Sequence, residues 1–243
     1  MHRFYAEPGI TGPNVPLSEE DARHASRVLR MKLGEPCEMF VDGKRYAAEI
    51  SAMGENGVQA LLLEERPSTE ANLRITLYQG LPKADKMELI VQKSVELGAC
   101  AVVPVAMSRC VVQLDAKDGR KKQERWQKIA REACKQSGRC EMMQVWEPIP
   151  FKQLLVKLAE HQAAIVPWED ARGYSLACFH QDHPDITDLA IVIGPEGGMS
   201  EDEIAKMKEA NCQSVTLGPR ILRTETAGLC AMSALLCLYG DME

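Results

Sequence analysis

The chain has 243 residues, 45% of them hydrophobic and 26% charged, with a formal net charge of −6. A chain of this length buries enough surface for one or two domains without staples, and no apolar run approaches the roughly 20 residues of a membrane span. The opening MHRFYAEPGITGPNVP has no apolar stretch of signal-peptide length, so a cytoplasmic protein with no membrane partner is expected.

The nine cysteines are odd in number and form no C-x-x-C, which predicts free, reduced, buried thiols, including Cys230 and Cys237 in an apolar run. His180 and His183 have a metal-like spacing, but nothing nearby completes a ligand set; they are read as loop residues and no metal is expected. Charge is unevenly spread. Arg109 to Arg139 holds ten Lys/Arg and four acids, net +6, against −12 for the rest. A basic stretch of this kind is either a phosphate footprint or a solvated helix face.

In chain order, Ser18 with Asp21 three residues on opens a helix that runs to about Leu29. Alternating apolar runs at 37–41, 45–51 and 58–65 predict strands, and Asp42-Gly43 between the first two suits a tight hairpin. This part reads as a small β-barrel or sheet with one helix. ERPSTEANL reads as a linker, with a seam near 66–73. Beyond it, strands are predicted at 75–79, 101–105, 163–167, 189–194 and 214–218, and helices at 84–97, 118–137, 151–160, 201–210 and 225–239. That alternation predicts an α/β domain with a parallel sheet. Gly98 closes the first of these helices, and Ser200 with Glu203 forms a capping box for the helix at 201.

Two segments carry chemistry. The first, Gly194-Pro195-Glu196-Gly197-Gly198-Met199-Ser200, lies between a buried strand and a capped helix, where ligands bind parallel sheets. It lacks the G-x-x-x-x-G-K-[ST] pattern, and Glu196 sets a carboxylate where a phosphate would sit. A carboxylate suits hydroxyls, amino groups or a cation, all of which S-adenosylmethionine offers; an ordinary strand–helix turn is the alternative. The second, Leu217-Gly218-Pro219-Arg220-Ile221-Leu222-Arg223-Thr224-Glu225-Thr226-Ala227, also joins a strand to a helix. Its backbone and the apolar Ile221 and Leu222 suit the edge and face of an adenine, and Thr224 or Thr226 is available to cap the helix.

IGPEGGMSEDE followed by LGPRILRTETA closely resembles the knotted methyltransferases of the SPOUT superfamily, and within them the RsmE family of ribosomal RNA uridine-N3 methyltransferases. RVLRM (27–31), KADKMELIVQKSVELGACAVVPV (83–105) and ERWQKIAREACKQSGR (124–139) extend the likeness over nearly the whole chain. The resemblance implies a PUA-like, RNA-binding β-barrel over 1–70 and a SPOUT α/β domain with a deep trefoil knot over 73–243. It implies S-adenosylmethionine held by Pro167, Trp168 and Glu169, by Ile193 and Gly194–Gly198 (Gly194, Pro195, Glu196, Gly197, Gly198), and by Leu217, Gly218, Arg220, Ile221, Leu222 and Thr224. It also implies a homodimer, with the last helix packed between knots, acting on a uridine of 16S rRNA in the small ribosomal subunit. Met143 departs from the family's proline at that place.

N3 of a neutral uridine carries a proton, so a base or an anion-stabilising group is needed. Glu225 and Glu96 are the candidate bases, and Arg139 and Arg223 the candidate guanidinium partners. RNA binding is expected from Arg3, His24, Arg27 and Arg30, with Arg23, Arg27 and Arg30 on one helix side, and from Lys83, Lys86, Arg109 and Arg125. Other RNA nucleotides, the ribose 2′-oxygen, and a non-catalytic RNA-binding assembly factor are the rival readings.

Overall fold

The computed structural model describes all residues except 8, 11, 55, 56 and 243. The chain divides into two compact units, Met1–Glu70 with Cys134–Met142, and Ala71–Ala133 with Met143–Glu243. By contact, residues 134–142 group with the first unit.

The first unit is a five-stranded sheet in the order β1-β3-β4-β5-β2: β1 His2–Tyr5, β2 Asn14–Pro16, β3 Pro36–Val41, β4 Lys44–Gly54 and β5 Gly57–Arg66. The β1–β3 pair is parallel and the others are antiparallel. The hydrogen-bonded path among the described residues leaves β1 and β2 as its two ends. Asp42 and Gly43 both take positive φ, 47° and 76°, as the two-residue hairpin requires. Register shifts near Ala47 and Ile50 mark bulges that bend β4 over a core of Phe4, Val15, Met39, Ile50 and Ala60.

Ser18 caps α1 (Glu19–Arg23) by accepting from the Asp21 N–H. The helix then turns into a π-helical segment, His24–Val28, and Arg30 takes φ 55°. Arg30 lies beyond this segment with positive φ, so the helical path on which Arg23, Arg27 and Arg30 were expected to share one side ends before it.

The 134–142 segment is held within this unit by polar contacts. Glu70 accepts from Arg139 Nε at 2.7 Å and from the Cys140 and Glu141 N–H groups at 2.6 and 3.0 Å, while Lys135 pairs with Asp21 at 2.6 Å. Arg3 and Arg45 both pair with the buried Glu38; burial pushes that carboxyl up, and the two guanidinium groups outweigh it and hold it below its usual range.

The second unit is a parallel sheet in the order β12-β10-β11-β6-β7-β8, with β9 also on β7. Its strands are β6 Arg74–Gly80, β7 Ala101–Ala106, β8 Gln144–Val145, β9 Ile149–Pro150, β10 Ala163–Pro167, β11 Asp188–Ile193 and β12 Cys212–Val215. Buried on both faces, β7 and β11 read as nearly unbroken apolar runs, while β6 is buried with Thr76 and Gln79 among its apolar residues. The helices are α2 Lys86–Glu96, α3 Ala116–Ser137, α4 Phe151–Leu158, α5 Leu176–Asp182, α6 Glu201–Glu209 and α7 Thr224–Leu238. The last turn of α3 counts with the first unit. Gly98, at φ 84°, ends α2, and α6 carries the complete Ser200–Glu203 capping box. His180 lies on α5 and His183 caps it, correcting their reading as loop residues. No described helix is long and apolar enough to cross a membrane.

Candidate functional site

Strand β6 sits inside the sheet, with β7 following on one side and β11, β10 and β12 on the other. The carboxyl ends of β10, β11 and β12 release three loops toward one place, as expected at a switch in strand order. A cavity of about 1160 Å³ opens there, lined by residues 167–173, by Ile193–Glu196, Gly198 and Met199, by Thr216–Thr224, and by Lys86 and Ala227. It is roomy enough for a cofactor and part of a second molecule.

The loops reach this arrangement through close backbone approach. A Cβ on Gly80 would lie 2.6 Å from Pro195 N, and one on Gly197 would lie 3.0 Å from Arg109 O. Gly198 takes φ 70°, and its N–H closes a turn on the Pro195 carbonyl at 2.9 Å. Beneath the loops, buried Gln79 at the end of β6 donates to Thr224 Oγ1 at 2.8 Å, and that hydroxyl donates to the Gly194 carbonyl at 2.6 Å. Thr224 thus ties α7 to β11. It does not cap α7; the N-cap is Arg223, which makes no side-chain capping bond.

The cavity wall carries charge. Lys86 Nζ lies 3.0 Å from Glu196 Oε1 and 3.1 Å from Glu225 Oε2, and Glu196 also accepts the Lys83 N–H at 3.0 Å. Burial raises both carboxyls, but Lys86 and nearby backbone N–H groups outweigh it, holding each below the usual carboxylate range. The Lys86 ammonium is raised in return. Arg172 donates to the carbonyls of Glu169 and Ala171, pinning the loop after β10. Ile221, 82% exposed, and Leu222 give that side of the cavity an apolar surface.

The sequence model of the RNA methyltransferase domain family matches residues 69–236, and that of the RNA methyltransferase PUA domain matches residues 17–63. This chain belongs to the RNA methyltransferase family. The methyltransferase is 37% identical over 231 residues to the ribosomal RNA small subunit methyltransferase E of Bacillus subtilis, covering 92% of this chain and 90% of that one. Its counterpart from Aquifex aeolicus is 30% identical over 97% of this chain and 99% of that one. The crystal structure of the ribosomal RNA small subunit methyltransferase E of Neisseria gonorrhoeae bound to S-adenosyl methionine is similar with a TM-score of 0.82 and 35% identity, over 98% of each chain.

Of the expected cofactor residues in this methyltransferase, all but Gly197 line the cavity, and Gly197 lies against Arg109 behind the same loop. Of the four catalytic candidates, Arg223 lines the cavity, and Glu225 pairs with the lining residue Lys86 just behind its wall. Glu96 ends α2 paired with Lys93 at 2.8 Å, ten residues and so about 15 Å along the helix from Lys86. Arg139 is buried in the first unit on Glu70.

The RNA-facing candidates separate as well. His24, Arg27 and Arg30 are exposed, whereas Arg3 is bound to Glu38 and to the carbonyls of Lys135 and Gln136. Lys83 is exposed, Arg125 pairs with Glu88 at 2.6 Å, and Arg109 Nη1 donates to the Gly197 carbonyl at 3.2 Å. Lys86 is a wall residue of the cavity. Sequence reading missed that role, along with Gln79 and Arg172. A glutamine at the end of an otherwise apolar buried strand was the available signal for Gln79. Cys230 and Cys237, expected to be buried, are exposed on α7.

Proposed function

We propose that the chain is an S-adenosylmethionine-dependent methyltransferase that methylates N3 of a uridine in 16S rRNA of the small ribosomal subunit. The observation that carries this reading is the convergence of three strand-end loops on one cavity whose wall holds ionised carboxylates and no phosphate-loop lysine. The donor set fits S-adenosylmethionine: backbone groups and apolar Ile221, Leu222 and Met199 for the adenine, and carboxylates of Glu169 and Glu196 for hydroxyls and cationic groups. The likeness to the Neisseria gonorrhoeae protein, which binds that molecule, supports the same assignment.

The cofactor, when bound, supplies an electrophilic methyl group on a sulfonium. The chain's own residues then have to place the uracil and manage its N3 proton. Glu225 is ionised throughout the neutral range and accepts from N3–H, while Arg223 beside it faces the negative charge that develops on the uracil oxygens. Closure of the loops around the cavity excludes water and strengthens both interactions.

RNA recognition falls to the exposed His24, Arg27 and Arg30 of the first unit and to Lys83, Arg109 and Arg125 of the second. The knot of the SPOUT fold, a homodimer formed through the exposed side of α7, and a cytoplasmic location complete the proposal. Calorimetric titration with S-adenosylmethionine tests the cofactor assignment: saturable one-to-one heat is expected, lost in Gly80→Ala because the added Cβ displaces Pro195. An absence of heat from the wild-type chain counts against the assignment.

A further inference from the structure

Lys86 is an expensive residue where it stands. It is the first residue of α2, where the helix dipole presents partial positive charge and disfavours a cation. Its side chain is drawn off the surface to 29% exposure, between carboxylates that are 24% and 16% exposed. The three groups come from three separate elements: the start of α2, the loop after β11, and the first turn of α7. A surface ion pair along one helix would need none of this convergence.

We propose that Lys86 is a positioning residue of the transfer site: one ammonium grips Glu196 on the cofactor loop and Glu225 on α7, joins the two elements, and fixes the pose in which Glu225 meets its substrate. This rests on the reading of the cavity given above and takes Lys86 away from the RNA-contacting set.

Both carboxylate oxygens lie within 3.1 Å of one nitrogen, so they are within about 6 Å of each other, close enough for like charges to raise each other's pKa. Without the cation the pair repels, and one carboxylate either swings out or takes up a proton. The other charged groups around the cluster do not substitute for it. Arg223 acts on Glu225 alone, Lys83 reaches Glu196 only through its backbone N–H, and Glu203 and the Cys110 thiol, on the Glu196 side, carry no positive charge.

The test uses the full-length protein carrying carboxyl-labelled glutamate, titrated by NMR without cofactor or RNA, beside the pH profile of kcat/KM for methyl transfer to 16S rRNA. In Lys86→Gln the Glu225 and Glu196 midpoints rise by about one pH unit or more. The acid limb of the profile rises with them, and kcat falls. Lys86→Arg, which keeps the charge, restores the limb and most of the rate. Glu196→Gln, which leaves the ammonium to Glu225 alone, lowers the Glu225 midpoint and serves as the test if Lys86→Gln does not fold. Unmoved midpoints in these variants, or a fall in rate with an unmoved acid limb, would overturn the proposal. Absence of methyl transfer by the wild-type protein would sink the enzymatic reading instead, because the titration reads the cluster without it.

Discussion

Glu225 and Glu96 are both glutamates on helices of the second unit, and their surroundings separate them. Glu225 pairs with Lys86 of the cavity wall, at a helix start that favours its charge; Glu96 lies at a helix end, held by Lys93. Glu225→Gln is expected to lower kcat about a hundredfold with little change in cofactor affinity, and Glu96→Gln to leave both nearly unchanged, as steady-state assays would show. Thr224 was expected at the cofactor loop and as a possible helix cap, but its tie to Gln79 and the Gly194 carbonyl was not legible, because those partners are remote in sequence and meet it only once the sheet is assembled. Thr224→Val removes the hydroxyl that joins Gln79 to the Gly194 carbonyl, leaving Gln79 its bonds to the Gly80 and Gly194 carbonyls, and should cost about 1 kcal/mol in denaturant unfolding, together with weaker cofactor binding. Lys86 illustrates the same limit: it was expected to bind RNA, whereas its carboxylate partners lie on distant segments.

The elements that could be read in advance are those whose signals are local. Strand β10 matches its expected bounds because AAIVP is a short apolar run with clear ends, and α6 begins at Glu201 because Ser200 and Glu203 cap each other. Ser200→Ala should cost about 1 kcal/mol. Burial raises the Glu203 carboxyl, but hydrogen bonds from Ser108 and Ser200 outweigh it and hold it below its usual range. Its folded pKa is therefore below its unfolded one, so its contribution is fully present above the ordinary carboxylate pKa of about 4.3 and is lost as pH falls through the lower folded value. The stability gap between wild type and Glu203→Gln, measured by denaturation across that range, should narrow on acidification. Elements with weaker signals were missed: β1 and β2 have four and three residues, and α5 is a short helix among polar residues. The strand expected at 214–218 runs from Cys212 to Val215, since Thr216 to Gly218 turn away to line the cavity. The π-helical turn at His24 has no local sequence signature, and the helix ends before Arg30.

At the scale of the whole chain, the alternation of strands and helices after residue 73 announced the parallel sheet, and the two glycine-containing segments announced where its ligand site lies. The return of residues 134–142 to the first unit was not legible, because it depends on one carboxylate, Glu70, gathering two backbone N–H groups and a guanidinium from a segment far along the chain. Replacing Arg139 by Met leaves that carboxylate without its cation and should destabilise the first unit by about 3–5 kcal/mol, seen as an earlier unfolding transition. Methyl transfer to a ribosomal uridine at this cavity is the central proposal. The most direct measurement is mass mapping of 16S rRNA from cells lacking the protein, after incubation with purified protein and isotopically labelled S-adenosylmethionine. One labelled 3-methyluridine, formed about a hundredfold more slowly with Glu225→Gln, is the predicted result; label on another nucleotide or on a ribose oxygen, or no label on naked RNA or assembled subunits, would contradict it.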